Sequence, residues 1–400
     1  MRRTPRLLIA IIFFIALIAG ITFAIKYAKG YRPSLKNRAL EGTGLLAANS
    51  YPKGAAVFIN DKLTTATDDT LNLPPGEYLV KIAKDGYISW EKTLKLEPEL
   101  VTQTNTRLFP SVPDLKPLTF SGATNPLPSP DGEKIVFSVN NATTDTKNGL
   151  YVLDLLDRPF SLNSDPRQIS RTSAKYDLAK AQLVWSPDSG QILATLDQGE
   201  TNEINLLLSP TSFTDIADFK DVTARLPVIF KEWQDIQAKK FHEQLKTLPE
   251  PMQLIATASA KMVAFSPNEK KMLYSATASA QLAENLIPPL PAVSTQKETR
   301  AIEPNQYYIY DLEEDKNFFI ALFNQDAPII WYPDSNHVIM VENTKIIIAE
   351  YDATNRHTVY AGPFAQNFIF PWPNGSRLII LASLNGGSNL PPNLYSINLK

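Results

Sequence analysis

Leu7–Ile25 forms an uninterrupted uncharged stretch near the start of the chain, reading LLIAIIFFIALIAGITFAI. As a helix, this stretch would be about 28 Å long, close to the hydrocarbon thickness of a bilayer. The pattern predicts a transmembrane helix over residues 7–25, after a short cytoplasmic leader at residues 1–6. A cleaved signal peptide is the alternative, but its apolar part is usually about 7–15 residues long and ends in a small-x-small site, which is not clear here.

The basic residues on the two sides of this helix nearly balance, so the positive-inside rule does not decide the orientation. They are Arg2, Arg3 and Arg6 before the helix and Lys26, Lys29, Arg32, Lys36 and Arg38 after it. A short leader with most of the chain behind the helix suits a signal anchor. We therefore expect a single-pass cell-membrane protein whose bulk is extracytoplasmic. Residues 26–43 would be a linker, either solvated or in contact with anionic lipid.

Alternating apolar and polar positions follow the linker and predict half-buried strands. Val57 and Ile59 form one such alternation, and Tyr78, Val80 and Ile82 form another. Turns separate the strands where Pro or Gly reverses the backbone. These turns are Pro52-Lys53-Gly54, Leu73-Pro74-Pro75-Gly76 and Lys84-Asp85-Gly86.

Residues 44–110 resemble the PEGA domain. The residues in register with that family are Gly44, Leu46, Ser50, Pro52, Gly54, Ala55, Val57, Ile59, Leu73, Pro75, Gly76, Tyr78, Val80, Lys84, Gly86 and Tyr87. The chain departs from the family at Lys53, where glutamate is usual, and at Asn60-Asp61-Lys62, where Asp-Gly is common. The resemblance implies a small β-sandwich of bacterial surface and envelope proteins, without catalytic residues. A ligand groove lined by Tyr51, Tyr87 and Trp90 is an alternative to simple packing of these aromatic residues.

A turn motif then occurs five times along the chain: Ser129-Pro130-Asp131, Ser186-Pro187-Asp188, Ser266-Pro267-Asn268, Tyr332-Pro333-Asp334 and Trp372-Pro373-Asn374. Proline presets the backbone of the turn, and Asp or Asn accepts hydrogen bonds across it. Five residues after each proline an apolar run begins, at Ile135, Ile192, Met272, Val338 and Leu378. Each motif therefore predicts a turn that leads into a buried strand.

A second apolar strand follows in each copy, at residues 150–155, 204–208, 307–312, 346–348 and 393–397. These units resemble the WD-repeat-like blades of TolB-type β-propellers, in which such a turn precedes an inner strand. The resemblance covers residues 111–400 and implies a propeller, but it transfers no binding residue. Without two insertions the length gives about 45 residues for each of five blades, and six blades remain an alternative. Leu115–Phe120 is predicted to complete the last blade and close the ring.

The two insertions differ in pattern. Residues 213–250 carry apolar side chains every three or four positions, which predicts amphipathic helices, the longer beginning near Pro227. These helices either pack on the propeller or dock a partner. Residues 278–303 contain Pro288-Pro289-Leu290-Pro291 and no periodicity, which predicts a Pro-rich surface loop. A proline-binding module is the weaker alternative for this loop.

Composition narrows the chemistry. The 39 basic and 41 acidic residues give a net charge of −2, which argues against a nucleic-acid partner. The absence of cysteine excludes disulfides, thiol catalysis and Cys-ligated metals. No nucleophile elbow, phosphate loop or zinc motif occurs, and His242-Glu243 lacks a second histidine four residues on. We therefore predict no catalytic, cofactor-binding or metal-binding residues and no cofactor, and we leave the binding residues unassigned.

Two recurrent residue types have a structural and a functional interpretation. Asp131, Asp188 and Asp334 suit the turns better than calcium ligation or acid–base catalysis, since the repeat places them in different blades. Trp185, Trp331 and Trp372 are interpreted as packing between blades.

The sequence as a whole predicts an all-β protein: a transmembrane helix, a PEGA-like β-sandwich and a five-bladed propeller with a helical insertion. Its function would be binding or scaffolding at the cell envelope, with the lipid bilayer contacted through residues 7–25 and a protein or glycan held by the propeller. A propeller-based hydrolase or lyase acting on envelope polymers is the alternative, and a sensor that signals through a separate partner is a third hypothesis.

Overall fold

The computed structural model describes residues 4–28, 30–34, 39–156, 165–197, 203–288, 290, 294–325, 327–384 and 391–400, without the side chains of 4–8, 32–34 and 39–41. Contacts divide the chain into a first unit, Met1–Phe109 with Pro288–Lys297, and a second unit, Pro110–Ile287 with Glu298–Lys400. Residues 288–297 thus group with the first unit, although the sequence analysis assigns all of 111–400 to one domain.

An apolar helix opens the first unit. It is α1 (Thr4–Ala28), followed by a hairpin of β1 (Tyr31–Ser34) and β2 (Ala39–Gly42). Residues Ile9–Ala28 are long and apolar enough to cross a membrane, with a mean hydropathy of 2.5 and no part buried within the protein. The predicted apolar helix is confirmed as a candidate span, a property that a signal sequence shares. Arg2, Arg3, Lys29, Lys36 and Arg38, used in the orientation argument, lie outside the described residues.

Short strands build the rest of the first unit: β3 (Gly44–Ala48), β4 (Ser50–Tyr51), β5 (Ala56–Ile59), β6 (Lys62–Ala66), β7 (Asp69–Leu73), β8 (Gly76–Ala83), β9 (Trp90–Leu96), β10 (Val101–Gln103) and β11 (Thr106–Arg107). One sheet has the order β6-β5-β8-β9 and another has the order β10-β3-β7, while β4 pairs with β11. Val57, Ile59, Val80 and Ile82 are buried in a common core, as their alternation predicts, and Leu46 packs with them. Asn60 and Asp61 both adopt positive φ, so this pair forms the β5–β6 turn without the glycine usual in the family.

Five antiparallel sheets make up most of the second unit. Sheet 5 combines the two ends of the unit, because its outer strand is β12 (Leu115–Pro117). Sheet 1 contains β13 (Thr124–Pro128), β14 (Lys134–Val139), β15 (Gly149–Asp154) and β16 (Arg167–Arg171). Sheet 2 contains β17 (Gln182–Trp185), β18 (Ile192–Asp197) and β19 (Glu203–Leu208).

The remaining strands of the second unit follow two helices, α2 (Leu226–Leu245) and α3 (Glu250–Ala258). Sheet 3 contains β20 (Ala260–Phe265), β21 (Lys271–Ala276), β24 (Gln306–Asp311) and β25 (Lys316–Leu322), and the small hairpin β22 (Ala280–Gln281) with β23 (Ala301–Ile302) lies between them in sequence. Sheet 4 contains β26 (Ile330–Trp331), β27 (His337–Glu342), β28 (Lys345–Glu350) and β29 (His357–Ala361). Sheet 5 adds β30 (Ile369–Pro371), β31 (Arg377–Ala382) and β32 (Asn393–Asn398).

Both strands predicted for each repeat are present, and the one after the turn is buried. Ile135, Ile192, Met272, Val338 and Leu378 have no exposed surface. A strand predicted within Leu115–Phe120 is observed over Leu115–Pro117, where β12 pairs with β32 from Leu115–Ile397 to Pro117–Tyr395. A short strand also precedes each turn, which the sequence does not predict because these strands have no clear alternation.

Neighbouring sheets contact one another around the second unit. Apolar clusters join sheet 1 to sheet 2, sheet 3 to sheet 4, and sheet 5 to sheet 1. The Tyr332 hydroxyl of sheet 4 donates to the Gly375 carbonyl of sheet 5. Between sheets 2 and 3 the link is α2, which packs on Leu193 and bonds to Glu269. The described strands form no single closed sheet, so the propeller stays a prediction that these contacts support.

The predicted amphipathic helix is confirmed as α2, with Pro227 in its first turn. The segment before it replaces the fourth strand of sheet 2, since the Val222 N–H donates to the Asn205 carbonyl of β19. Helix α3 extends beyond the predicted insertion boundary at 250. The predicted Pro-rich loop includes β22 and β23, while Pro289 and Pro291 lie outside the described residues.

Candidate functional site

The five turns are built from one set of local hydrogen bonds. In sheet 1, Ser129 Oγ lies 2.5 Å from Asp131 Oδ1 and accepts the Lys134 N–H at 2.9 Å. Ser186 and Asp188 repeat this arrangement in sheet 2, where the serine accepts the Gln191 N–H at 2.8 Å. The fourth turn residue has positive φ in all five copies: Gly132, Ser189, Glu269, Ser335 and Gly375. In the three serine copies the side chain of the first residue caps the following strand, whereas in the other two copies the Asp334 or Asn374 side chain accepts the backbone N–H groups that lead into it.

The repeated carboxylates are occupied within their own turns. The Ser186 hydroxyl and then the Gly190 N–H hold the pKa of Asp188 below its usual value. At Asp131 burial raises the pKa, but the donors Ser129, Glu133 and Lys134 outweigh it and the net pKa is lowered. Asp334 accepts the backbone N–H groups of Asn336 and His337. Each carboxylate thus has the local partners that a turn role predicts.

The turns also carry repeated bonds between sheets. The Asp131 N–H donates to Ser189 Oγ at 3.0 Å, and the equivalent Asn268 N–H donates to Ser335 Oγ at 3.0 Å. These bonds join sheet 1 to sheet 2 and sheet 3 to sheet 4. A serine at the fourth turn position therefore acts as an acceptor for the turn of the preceding sheet.

Two of the tryptophans make the same kind of link. Trp185 Nε1 donates to the Leu127 carbonyl at 3.0 Å, and Trp331 Nε1 donates to the Ala264 carbonyl at 2.9 Å. Trp372 differs, because it is buried beneath the Arg377 guanidinium, 3.9 Å from the ring centroid. Trp185 and Trp331 therefore link neighbouring sheets, and Trp372 packs in the apolar core between sheets 5 and 1.

A buried ion pair lies beside the turn of sheet 3, and the sequence analysis did not find it. Lys271 and Asp311 are cross-strand neighbours, both nearly inaccessible, with Nζ 3.6 Å from Oδ2. The ammonium also lies 4.4 Å from the ring centroid of Tyr351 in sheet 4. Burial, assisted by the nearby carboxylates, raises the pKa of the Tyr351 hydroxyl. The Lys271 ammonium thus connects sheet 3 to sheet 4. It is too deeply buried to bind a ligand from solvent.

The five copies of the turn motif contain a sequence pattern that predicts this ion pair. The residue that opens the strand after the turn is basic in four of five sheets: Lys134, Lys271, His337 and Arg377. Its cross-strand partner is acidic in three of them: Asp154, Asp311 and Glu350. Alignment of the five copies on their prolines would therefore have revealed the pair.

The first strands of the five sheets share an apolar row, which is exposed in sheets 2 and 3, while Leu127 and Phe370 in sheets 1 and 5 pack against apolar cores. We define this apolar row as the residue two positions before each turn motif: Leu127, Val184, Ala264, Ile330 and Phe370. Val184 and Ala264 are exposed and the others are half-buried, whereas the following strand β21 is buried throughout. The five first strands contain one charged residue, Lys261. Such a surface suits apolar contact better than acid–base chemistry.

Helix α2 provides a second candidate surface. Ile229 and Trp233 of α2 are buried with Leu193 and Val222. Farther along, Ile236 is 48% exposed beside an open cleft of about 520 Å³. Helix α2 therefore packs at its beginning and stands clear of the sheets in its middle.

The aromatic residues of the first unit do not form a groove. Trp90 is buried in the core, and Tyr87 packs against the same core. Tyr51 is 45% exposed and has the Arg107 guanidinium 5.1 Å from its ring centroid. In the described part of the chain, no group of three or more His, Asp or Glu residues is placed to hold a metal ion.

Several solved structures resemble the chain at low identity. A protein assigned as TolB from Agrobacterium tumefaciens is 12% identical, with 69% of this chain and 78% of that chain covered and a TM-score of 0.22. TolB from Acinetobacter baumannii is 13% identical, with coverages of 81% and 60% and a TM-score of 0.23. An acylaminoacyl peptidase from Pyrococcus horikoshii is 7% identical, with coverages of 71% and 39% and a TM-score of 0.21. At these scores the likenesses carry no weight for fold or function.

No curated protein sequence matches the chain. One family does match part of it, almost at the limits that the resemblance predicted. Residues 43–111 match the PEGA domain family.

Proposed function

We propose that this chain is a membrane-anchored, extracytoplasmic protein of a bacterial envelope that acts by binding a protein partner, without catalysis. The observation that carries the proposal is the apolar row on the first strands of the five sheets. Val184 is 42% exposed and Met262, on the same face of its strand as Ala264, is 40% exposed. Depletion of charge and enrichment of Met and aromatic residues are typical of the centre of protein–protein interfaces.

The chemistry of this surface favours a protein over a glycan. Sugar hydroxyls need several convergent hydrogen-bonding side chains, and the first strands offer few. Lys261, their one charged residue, has its ammonium 5.1 Å from the ring centroid of Phe323. An apolar segment of a partner protein would gain about 25 cal/mol for each Å² that it removes from water here.

The location rests on the first unit. The hydropathy of Ile9–Ala28 supports an anchor, and the PEGA match of residues 43–111 supports an extracytoplasmic position. In this arrangement α1 holds the chain at the bilayer, and the PEGA-like strands of the first unit and the whole second unit lie outside it.

Site-specific photocrosslinking tests the proposal in the full chain. A photocrosslinking benzophenone amino acid is introduced at position 184 or 262 of the chain, which is expressed in the source cell, and crosslinking is carried out in membranes from those cells. Leu63 of the first unit, which is 61% exposed, is the matched control position. We expect one discrete protein adduct at both positions of the second unit and none at position 63. Equal adducts at all three positions, or no protein adduct at all, would contradict the proposal. If the purified chain cleaved envelope glycans or peptides, the proposed binding function would be wrong and the chain would be an enzyme.

A further inference from the structure

Helix α2 carries a continuous stripe of positions that face the same way. Ile229, Trp233, Ile236, Lys240 and Gln244 follow one another at intervals of three or four residues. Such intervals bring side chains to one face of a helix. The stripe therefore continues, in the middle of the helix, the face that is buried at its beginning.

The two ends of this stripe are supported and its centre is not. Ile229 and Trp233 are buried against Leu193, while at the other end Gln244 Nε2 donates to Glu269 Oε1 at 2.8 Å. Every residue from 234 to 240 is exposed. Helix α2 is thus a bridge, with an apolar side chain, Ile236, kept on the inward face where the sheets do not reach it.

An open cleft lies at this unsupported part of the helix. Its volume is about 520 Å³, within the range of about 300–1,000 Å³ that is typical of ligand pockets. It is lined by Ile236, Lys239, Lys240, Glu243, Gln244 and Glu269. We call it the arm cleft.

The charges of the arm cleft favour an anionic occupant. Glu243 is already paired with Lys246, whose Nζ lies 2.8 Å from Oε1, and this contact lowers the pKa of Glu243. Glu269 accepts the hydrogen bond from Gln244. The lining itself holds two lysines and two glutamates. Because Lys246 neutralises Glu243 from outside the lining, Lys239 and Lys240 are opposed only by the Glu269 carboxylate, which leaves one net positive charge beside Ile236.

We propose that the arm cleft binds a short, extended acidic segment of a protein partner. One apolar side chain of the segment packs on Ile236, and neighbouring carboxylates pair with Lys239 and Lys240. A second copy of the chain is a poorer occupant, because each partner in a stable dimer buries about 800 Å² and this cleft accommodates only a few residues. The proposal rests on the proposed function, since both require a protein partner, but it uses a different surface.

A peptide titration with the full chain in detergent tests the arm cleft. The probe is a fluorescein-labelled Gly-Asp-Leu-Glu-Asp-Gly peptide, and the comparison peptides replace its acidic residues with lysine or its leucine with serine. Binding is followed by fluorescence anisotropy at low and high salt. We expect saturable binding of the acidic peptide, weaker binding of the serine peptide, none of the basic peptide, and a loss of affinity in salt.

Variants of α2 separate the cleft from general electrostatics. Lys239→Glu combined with Lys240→Glu should weaken binding at least about tenfold, and Ile236→Ser should weaken it by a smaller factor. The control is Lys231→Glu, which makes the same charge change as each of the two substitutions alone but lies on the opposite side of the helix, where Lys231 lies 3.6 Å from Asp235. Circular dichroism and urea unfolding verify that each variant is folded.

The outcomes distinguish this inference from the proposed function. Absence of saturable binding by the acidic peptide would overturn the arm-cleft proposal, as would equal affinity in the double variant and the Lys231→Glu control. Crosslinking at Val184 and Met262 is measured independently. A protein adduct there, with no peptide binding at α2, would refute the arm cleft alone.

Discussion

Lys270 and Lys271 are adjacent residues in opposite environments. Lys270 is half-exposed and pairs with Glu313 at the surface, with Nζ 2.6 Å from Oε1. Lys271 points the other way, because successive strand residues face opposite sides, and its Nζ lies 3.6 Å from the buried Asp311. Both contacts are lysine–carboxylate ion pairs, but only the Lys271–Asp311 pair is shielded from solvent.

Removal of the buried ammonium should therefore be costly. Lys271→Met leaves the Asp311 carboxylate buried without its cation, and a lost partner of this kind typically costs about 3–5 kcal/mol. We expect the urea midpoint of the full chain, followed by tryptophan fluorescence, to fall markedly. Lys270→Met is the matched control and should leave the midpoint almost unchanged, since surface pairs contribute little.

A second variant identifies the cause. Lys271→Met combined with Asp311→Leu removes both charges and should recover part of the lost stability, because no unpaired carboxylate remains. Equal midpoints for Lys271→Met and Lys270→Met would show that the buried pair does not stabilise the second unit.

At the scale of single residues, the sequence predicts the turns better than their partners. Ser129 and Asp131 lie two residues apart, so their hydrogen bond follows from local geometry alone. The hydrogen bond from the Asp131 N–H to the Ser189 hydroxyl links sheet 1 to sheet 2, and no local sequence pattern predicts it. The apolar row stands at a fixed offset from the five motifs, but which of its members are exposed depends on the packing of neighbouring sheets, which no local pattern gives.

Helix α2 shows how one element divides its stripe between two roles. Trp233 is 9% exposed and packs with Leu193, Val222 and Ile229, whereas Ile236 is 48% exposed. Both residues belong to the apolar periodicity that predicted the helix. The periodicity alone does not tell which part of the stripe the sheets cover.

Two alanine variants separate these roles. Trp233→Ala should destabilise the chain by about 3–5 kcal/mol, because it leaves a cavity between α2 and sheet 2. Ile236→Ala should leave the urea midpoint unchanged, because the Ile236 side chain already contacts water. It should nevertheless weaken binding of the acidic peptide. If Ile236→Ala lowered the midpoint as much as Trp233→Ala, the centre of α2 would be a packed surface and not an open one.

Prediction of the elements succeeded where the local pattern was strong. The Pro227 start and the spacing of apolar residues were sufficient for α2. Helix α3 was missed because Pro249 and Pro251 suggest a break, although Pro251 occupies its first turn, where the missing N–H is tolerated. The three-stranded form of sheet 2 was also missed, since the segment at Val222 that covers its edge has no strand pattern.

On the scale of the whole molecule, the two ends of the second unit are joined in sheet 5. Besides the β12–β32 ladder, the Thr119 hydroxyl accepts the Leu394 N–H at 2.9 Å and bonds to Asn393 Oδ1 at 3.0 Å. Asn393 Oδ1 also accepts the Gly122 N–H at 3.0 Å. In a circular arrangement, this junction decides whether the five sheets stay together or open from one side.

A disulfide across this junction tests the arrangement, and the chain is well suited because it contains no cysteine. Lys116 and Ser396 are directly opposed in the ladder, so Lys116→Cys with Ser396→Cys should form one bridge on mild oxidation. Loop-closure entropy for so long a loop gives an upper bound of about 5 kcal/mol of stabilisation. We expect a mobility shift on non-reducing gels and a higher urea midpoint that reverts on reduction.

The register supplies the control for this bridge. Lys116→Cys with Ile397→Cys places the two thiols on opposite faces of the same strand pair, because side chains alternate along a strand. This variant should remain reduced under the same conditions. Efficient bridging in both variants would mean that the register of β12 on β32 is not fixed, whereas failure of both would mean that the ends are not paired. A bridge only in the first variant, with a raised midpoint, would show that opening at sheet 5 accompanies unfolding of the second unit, as a ring of five sheets requires.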